Sequence, residues 1–152
     1  MRLIAHRGNV EGPNPSKENH PLYVESAISL GFDVEIDVWW ENDHFYLGHD
    51  NPTYLLENLS LLSNEKVWCH AKNLLALNKL LQISNCNYFW HQNDDFTLTS
   101  KGFIWTYPGK QLCDRSICVI NENLITKNQF KKIHHMMVIG VCSDYVKILK
   151  DY

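Results

Sequence analysis

Two acidic side chains, Glu35 and Asp37, stand two residues apart in the apolar segment 33–40. Because side chains alternate between the faces of a β-strand, a strand here places both carboxylates on one face, about 7 Å apart. A buried pair of like charges is unfavourable unless a metal ion or cationic side chains compensate it. An edge strand with its polar face in water has the same pattern, and the flanking Trp39 and Trp40 favour burial.

Ionisable side chains also end two other apolar segments. His6 and Arg7 end the segment 2–6, and His70 and Lys72 share one face at the end of the segment 66–71. Parallel α/β sheets build their functional sites at the carboxyl ends of their strands. We therefore expect three successive strands to bring these groups together.

A further imidazole, His49, follows the carboxylate strand. Asn42 and Asp43 predict a turn, and residues 45–47 predict a hairpin arm that ends in Gly48-His49-Asp50. That arm would carry His49 back toward the other groups. Taken alone, His49 is equally consistent with a surface loop.

The elements that would position these groups alternate along the chain. Short β-branched or aromatic segments predict strands at residues 2–6, 33–40, 66–71, 87–90, 102–106, 116–120 and 137–142. Helical spacing predicts helices at residues 22–30 and 73–83, with a weaker pattern at 126–135. Alternation of this kind predicts parallel strands joined by helices. Trp68, Trp90 and Trp105 recur on adjacent predicted strands, and a role in filling a small barrel is favoured over stacking on substrate.

Length and composition limit what these elements can build. The 152 residues predict a single domain, 1–152, and a complete (β/α)₈ barrel usually takes about 250 residues, so we expect a shortened or incomplete barrel. A formal charge of −3 offers no broad attraction for nucleic acid or anionic membrane, and no apolar run is long enough to span a bilayer. The amino terminus lacks a signal-peptide pattern, so we expect the mature protein to begin at Met1. Five cysteines without a C-x-x-C pair suit reduced thiols, which predicts a cytoplasmic protein.

The ordered set of motifs resembles the glycerophosphodiester phosphodiesterases, within the wider group of phosphatidylinositol-phospholipase-like phosphodiesterases. The resemblance covers residues 2–75 well. The matching strings are Leu3-Ile4-Ala5-His6-Arg7-Gly8, Glu18-Asn19, Glu35-Ile36-Asp37-Val38 and Gly48-His49-Asp50, with a weaker match at residues 140–145.

This resemblance implies a TIM-barrel hydrolase of lipid metabolism that acts on glycerophosphodiesters or related head-group phosphodiesters with the help of Mg²⁺ or Ca²⁺. A divalent ion would polarise a phosphoryl oxygen, and imidazoles would transfer protons to and from the reacting oxygens. The implied roles are acid–base catalysis by His6 and His49, metal binding by Glu35 and Asp37, and phosphate binding by Arg7 and Lys72.

Two departures from the family pattern concern the metal and the substrate. His70 stands where the family usually has a third carboxylate, two residues before Lys72. With two carboxylates and one imidazole the site can still bind magnesium, yet the imidazole favours Mn²⁺ or Zn²⁺. The chain is also shorter than family members and has no obvious counterpart of the insertion that shapes the glycerol pocket. The chemistry is therefore better indicated than the substrate.

Four further residues are candidates for contacts at the same site. Asn19 lies in a polar loop at residues 9–21, and His91 and Lys110 follow the fourth and fifth predicted strands. Asp144 follows the last strand, where it would either orient an active-site residue or cap a helix.

Other readings of the sequence remain open. A non-catalytic module on the same barrel would bind phosphate or a phosphodiester without turnover. A structural zinc protein would draw on Cys113, Cys118, His134 and His135, although their spacing matches no established zinc pattern. A short barrel leaves a sheet edge that a homodimer would cover, and the sequence leaves monomer and homodimer open.

Overall fold

The computed structural model describes residues 1–120 and 127–151. These residues form ten β-strands, four α-helices and one 3₁₀ helix. The strands are β1 (Arg2–His6), β2 (Asp33–Glu41), β3 (His44–Leu47), β4 (Tyr54–Leu55), β5 (Val67–Ala71), β6 (Tyr88–Phe89), β7 (Phe96–Leu98), β8 (Ile104–Thr106), β9 (Ser116–Val119) and β10 (Gly140–Ser143). The helices are α1 (Pro21–Ser29), α2 (Leu74–Leu80), α3 (Lys127–His135) and α4 (Val146–Lys150), and the 3₁₀ helix covers Leu59–Ser63.

The strands form one mostly parallel sheet in the order β6, β5, β2, β1, β10, β9, β8, β7. Strand β7 is antiparallel to β8, and β3 and β4 extend antiparallel from the carboxyl half of β2. The sheet is curled, as the contact between Phe89 on β6 and Trp105 on β8 shows. Their rings stack with centroids 4.5 Å apart. Strand pairing does not close the ring within the described residues, although the Ser100 N–H donates to Tyr88 O at 2.8 Å. The fold is therefore mixed α/β with a half-barrel sheet.

Alternation along the strands separates two apolar regions. The interior of the curl contains side chains from six strands, namely Ile4, Trp68, Phe89, Trp105, Ile117 and Cys142. Residues of opposite parity pack outward against the helices, as Val34, Ile36 and Val38 of β2 do with Val24 and Ala27 of α1. A strand buried on both faces explains why β2 is apolar apart from its inward carboxylates.

Side-chain caps fix the two helices nearest the carboxylate strand. His20 Nδ1 accepts the Leu22 N–H at 3.3 Å, and Pro21 begins α1 without needing an N–H partner. Asn73 Oδ1 accepts the Ala76 N–H at 2.8 Å at the start of α2, while Asn73 Nδ2 donates to Trp40 O at 3.1 Å. Asn73 thus ties α2 to the end of β2.

All seven predicted strands are present, but two of them begin two or three residues later than predicted. Gly102 and Met137 have φ angles of 79° and 53°, so neither adopts extended backbone, and the strands start at Ile104 and Gly140. The structure adds β4, β7 and α4, which the sequence patterns did not indicate. The weaker helix prediction is confirmed from Lys127 onward, and Thr126 lies outside the described residues.

Three predictions about apolar and sulfur-containing residues are also resolved. Trp68 and Trp105 fill the interior as expected. The same prediction for Trp90 is wrong, because Trp90 has the opposite parity to Phe89 and packs on the outer cluster. All five cysteines are free thiols. In residues 1–120 and 127–151, no helix has the length and apolar content needed to cross a bilayer.

Candidate functional site

The carboxylates of β2 lie in the interior at the carboxyl end of the sheet. In parallel pairing, partnered residues point to the same face. Asp37 is paired with His70, and Glu35 is paired with both His6 and Trp68, which belongs to the interior cluster. Glu35 and Asp37 are 3% and 1% exposed, which excludes the edge-strand alternative.

Asp37 is surrounded by groups that favour its ionised form. Its Oδ1 lies 3.2 Å from His70 Nδ1 and 3.3 Å from Lys72 Nζ. Its Oδ2 accepts from Asn19 Nδ2 at 2.9 Å and lies 3.1 Å from Arg7 Nε. Burial opposes ionisation, but His70, Lys72 and Arg7 outweigh it and hold the pKa of Asp37 below its usual range.

Glu35 is less well compensated. Its Oε2 accepts the backbone N–H of Arg7 at 3.3 Å, and its Oε1 lies 3.7 Å from His70 Nδ1. Burial and the neighbouring charge of Asp37 raise the pKa of Glu35. A cation beside Glu35 would remove much of this unfavourable energy.

The hydrogen bond of His70 sets which ring nitrogen faces the carboxylates. His70 Nε2 lies 3.1 Å from the backbone oxygen of His91, and the ring stacks on Phe89 at 5.1 Å with an interplanar angle of 7°. A carbonyl oxygen only accepts, so Nε2 carries a proton. His70 Nδ1 therefore either carries a second proton or directs its lone pair to a cation shared with Glu35 and Asp37.

The three side chains fit a divalent metal ion. One ligand atom from each of Glu35, Asp37 and His70 lies within 4.8 Å of the others. The balance of charge also supports a bound cation. Four carboxylates, those of Glu18, Glu35, Asp37 and Asp144, lie in this cluster, whereas its permanently cationic side chains are those of Arg7 and Lys72. Two carboxylates and an imidazole with a fixed tautomer form a ligand set suited to Mn²⁺, Zn²⁺ or Mg²⁺.

The zinc site that Cys113, Cys118, His134 and His135 would have formed is not found. Among the residues that the structure describes, the carboxylate and histidine group on β2 and β5 is the single cluster of three metal-ligating side chains. Cys113 is exposed, whereas Cys118 is buried on β9.

His6 is held by Asp144. His6 Nδ1 lies 3.0 Å from Asp144 Oδ1, which also accepts from Asn9 Nδ2 at 2.7 Å. Burial lowers the pKa of His6, but the Asp144 hydrogen bond and the charge of Glu35 outweigh burial and raise it above its ordinary value. Of the two roles proposed for Asp144, orientation of an active-site residue is the one that these contacts support.

The loop after β1 places Arg7 over the carboxylates. Arg7 has a φ of 53°, in the left-handed region, and its carbonyl accepts the Asn19 N–H at 3.0 Å. Its Nη1 donates to Glu18 Oε2 at 3.1 Å, while Glu18 Oε1 accepts from Asn9 Nδ2 at 2.9 Å. In the predicted Glu18-Asn19 motif, Glu18 therefore holds the Arg7 side chain and Asn19 donates a hydrogen bond to Asp37.

The predicted hairpin returns His49 to the site. Asn42 and Asp43 have positive φ angles of 47° and 61°, which the turn of a tight two-residue hairpin requires. Gly48 donates its N–H to Asp37 O at 3.1 Å, and a Cβ on Gly48 would lie 2.1 Å from a backbone oxygen of the following turn. Only glycine allows this approach, which positions His49 beside the carboxylate strand.

His49 has an environment opposite in effect to that of His6. His49 Nδ1 lies 2.7 Å from Asp50 Oδ1, and its side chain is 42% exposed. Burial and the cationic charges of Arg7 and Lys72 lower the pKa of His49, despite the opposing influence of Asp37. The two imidazoles are thus biased toward opposite protonation states.

Of the remaining candidates, Asn19, His91 and Asp144 join the cluster through direct contacts, and Lys110 does not. Lys110 lies in the loop after β8, and its ammonium is 2.8 Å from the carboxylate of Asp95, which precedes β7. The sequence reasoning missed Asn9, which is fully buried and bridges Glu18 and Asp144. A polar residue directly after a His-Arg-Gly string was the available signal.

A groove of about 610 Å³ lies away from this cluster. It is lined by residues 8 and 10–14 and by side chains of α1 and α4, and its apolar lining includes Val10, Ala27 and Phe32. None of the cluster's carboxylates or imidazoles lines it.

No family model, no curated protein and no solved structure matches this chain.

Proposed function

We propose that this chain is a metal-dependent phosphodiester hydrolase on an incomplete TIM-type barrel, related to the glycerophosphodiester phosphodiesterases. Its substrates are glycerophosphodiesters or related head-group phosphodiesters. The observation that carries the proposal is the group formed by Glu35, Asp37 and His70 within 4.8 Å, with His6 and His49 on either side of the same strand end.

The bound metal ion would polarise a phosphoryl oxygen and offset the charge that develops on it. Arg7 and Lys72 supply the remaining positive charge, because both contact Asp37 at the edge of the metal group. Arginine offers planar, paired donors to phosphate, whereas lysine offers a point charge. These two side chains would hold the diester over the carboxylates.

The two imidazoles would divide the proton transfers. His49, with its lowered pKa, is the neutral imidazole that accepts a proton from the attacking water. His6, with its raised pKa, is the protonated imidazole that donates to the leaving alkoxide. Asp144 fixes His6 Nδ1, so the donated proton comes from Nε2.

The test is hydrolysis of a glycerophosphodiester and of an aryl phosphodiester with Mg²⁺, Ca²⁺, Mn²⁺ or Zn²⁺ added in turn. His6→Ala and His49→Ala should each lower turnover by about two to four orders of magnitude. His134→Ala is the matched control, because this exposed histidine lies at the end of α3. No turnover with any metal, or full turnover in both variants, would refute the catalytic assignment.

A second candidate function is a phosphodiester-binding module without catalysis. Such a module would keep the anion-binding side chains Arg7 and Lys72 and lack a substrate pocket for catalysis. The groove of about 610 Å³ supports this alternative, because it is not lined by the carboxylates or imidazoles of the metal group. Calorimetric binding of glycerophosphodiesters without product formation would establish the binding function instead.

The free state of all five cysteines supports a reducing compartment, and a cytoplasmic location is part of this proposal. The single sheet that contains the strands from β1 to β10 also supports treating residues 1–152 as one unit. Light scattering would distinguish the monomer from the homodimer that an unpaired sheet edge favours.

A further inference from the structure

A fourth imidazole, that of His91, stands at the same end of the sheet as His6, His49 and His70, and its ring has no role in the chemistry proposed above. Phe89 on β6 pairs with His70, and His91 follows Phe89 by two residues, so His91 continues the inward face one layer higher. Its ring centroid lies 6.1 Å from that of His70. His91 therefore lies directly beside the metal group, on the side away from His6.

Tyr107 faces His91 from the other end of the sheet. Trp105 on β8 stacks on Phe89, and Tyr107 follows Trp105 by two residues. The rings of His91 and Tyr107 lie 5.9 Å apart, and Tyr107 is 49% exposed. His91 and Tyr107 thus form a second, partly exposed pair of rings next to the buried, stacked rings of Phe89 and Trp105.

The His91 ring is fixed by a loop made almost entirely of polar residues. His91 Nδ1 lies 2.9 Å from Asp94 Oδ2, and Asp94 Oδ1 accepts the Gln92 N–H at 3.0 Å. Thr97 Oγ1 donates to Trp90 O at 2.7 Å and anchors the start of the same loop. With Nδ1 bound to a carboxylate, Nε2 is the ring nitrogen that remains for a ligand.

We propose that His91 and Tyr107 form the subsite that selects the alcohol group of the substrate, and that Asp94 positions His91 in it. The selected alcohol carries a hydroxyl near the phosphoester, because the subsite combines a fixed imidazole, a phenol and an exposed aromatic face. Sites of this composition bind small polar groups by a few placed hydrogen bonds against an aromatic surface. This inference rests on the proposed function, since it assumes a phosphoester held by the metal group.

The test compares the binding of glycerol 3-phosphate and propyl phosphate, which have similar length and differ in hydroxyl groups. Calorimetry is carried out on the full chain with Mn²⁺, and inorganic phosphate is the reference. We expect glycerol 3-phosphate to bind about tenfold more tightly than propyl phosphate, the effect of roughly one well-placed hydrogen bond. His91→Gln and Tyr107→Phe should reduce this ratio without changing the affinity for inorganic phosphate.

Variants of Asp94 test the positioning role. Asp94→Asn keeps an acceptor for His91 Nδ1 and should retain most of the selectivity, whereas Asp94→Ala should lose it. In turnover assays, His91→Gln should raise KM for a glycerophosphodiester and leave kcat nearly unchanged. His134→Gln, at an exposed position, and Tyr46→Phe, at a half-buried position on β3, are the matched controls.

The possible failures can be told apart. Equal binding of glycerol 3-phosphate and propyl phosphate by the wild-type chain overturns the subsite and leaves the phosphodiesterase proposal standing. Selective binding that persists in His91→Gln overturns the assignment of His91. Selective binding without hydrolysis supports the subsite and overturns the catalytic proposal. Failure to bind inorganic phosphate overturns both, and an unchanged phosphate affinity in each variant shows that the site is folded.

Discussion

Replacing Glu35 by glutamine should make the chain more stable without metal and less stable with it. Glu35 and Asp37 are both buried, and their ligand atoms lie within 4.8 Å of each other. At an effective dielectric constant of 20, two unit charges at that distance repel by about 3.5 kcal/mol. Attraction between Glu35 and the side chains of His6, His70 and Arg7 offsets part of this repulsion.

The net gain expected for Glu35→Gln without metal is about 1–2 kcal/mol at neutral pH. Glutamine keeps an oxygen that accepts the Arg7 N–H, so this contact does not have to be lost. For a chain of this length, such a gain raises Tm by roughly 3–6 °C. The isosteric change Glu57→Gln, at an exposed position, is the control.

Bound metal should reverse this order of stability, so that the wild type is more stable than Glu35→Gln. A ligand at 100 times its dissociation constant stabilises the folded state by about 2.7 kcal/mol, and Glu35→Gln should lose most of this gain because it removes a charged ligand. Thermal melts with and without Mn²⁺ give the measurement. A variant that is less stable than wild type without metal, or one that responds equally to Mn²⁺, would refute the reasoning.

The dependence on pH has a defined sign. The folded-state pKa of Glu35 is raised, so its charge penalises the folded state above the pKa of the unfolded chain. The advantage of glutamine should therefore be complete above the raised pKa, shrink as the pH falls through it, and vanish below the unfolded value. An advantage that grows in acid would contradict the assignment.

Three further changes test other parts of the site. His70→Glu should move metal preference from Mn²⁺ or Zn²⁺ toward Mg²⁺ or Ca²⁺ in binding titrations, and an unchanged order would remove His70 from the ligand set. Asp144→Asn removes a charge that raises the pKa of His6, so the alkaline limb of the pH–rate profile should move to lower pH, whereas a shift to higher pH would argue against His6 as the acid. Gly48→Ala should lower turnover at least tenfold by displacing the next histidine, and wild-type kinetics would show that the loop tolerates a Cβ.

The first half of the fold could be predicted because its sequence signals are local and agree with one another. Strand alternation placed Glu35 and Asp37 on one face, and the turn residues Asn42 and Asp43 adopt the positive φ angles of a tight hairpin. The strand ends that carry His6 and His70 meet as expected, because parallel pairing aligns them with the carboxylate strand. Period and turn chemistry were sufficient for these residues.

The second half could not be predicted as well, because its elements are short and depend on distant contacts. Strand β6 has two residues and β7 has three, which is too short for a periodic pattern. Strand β7 exists by pairing with β8, and α4 has five residues whose buried side chains include Val146 and Leu149. Tertiary packing rather than local propensity forms these elements.

Some site contacts were also beyond the sequence. Asp144 reaches His6 across 138 positions, and nothing in either local segment reveals which of two roles the aspartate has. Asn9 is buried between two carboxylates that lie 9 and 135 positions away. Such contacts depend on the order of the strands in the sheet, which places β10 next to β1.

The histidine at position 70 is explained by its neighbour strand. His70 donates through Nε2 to the backbone oxygen of His91 and stacks on Phe89, so both the hydrogen bond and the flat contact depend on an imidazole. An ionised carboxylate at position 70 has no proton to donate, and it would face a carbonyl oxygen across the same short distance. The backbone of β6 and its extension therefore favours histidine over a third carboxylate, and it leaves Nδ1 directed at Glu35 and Asp37.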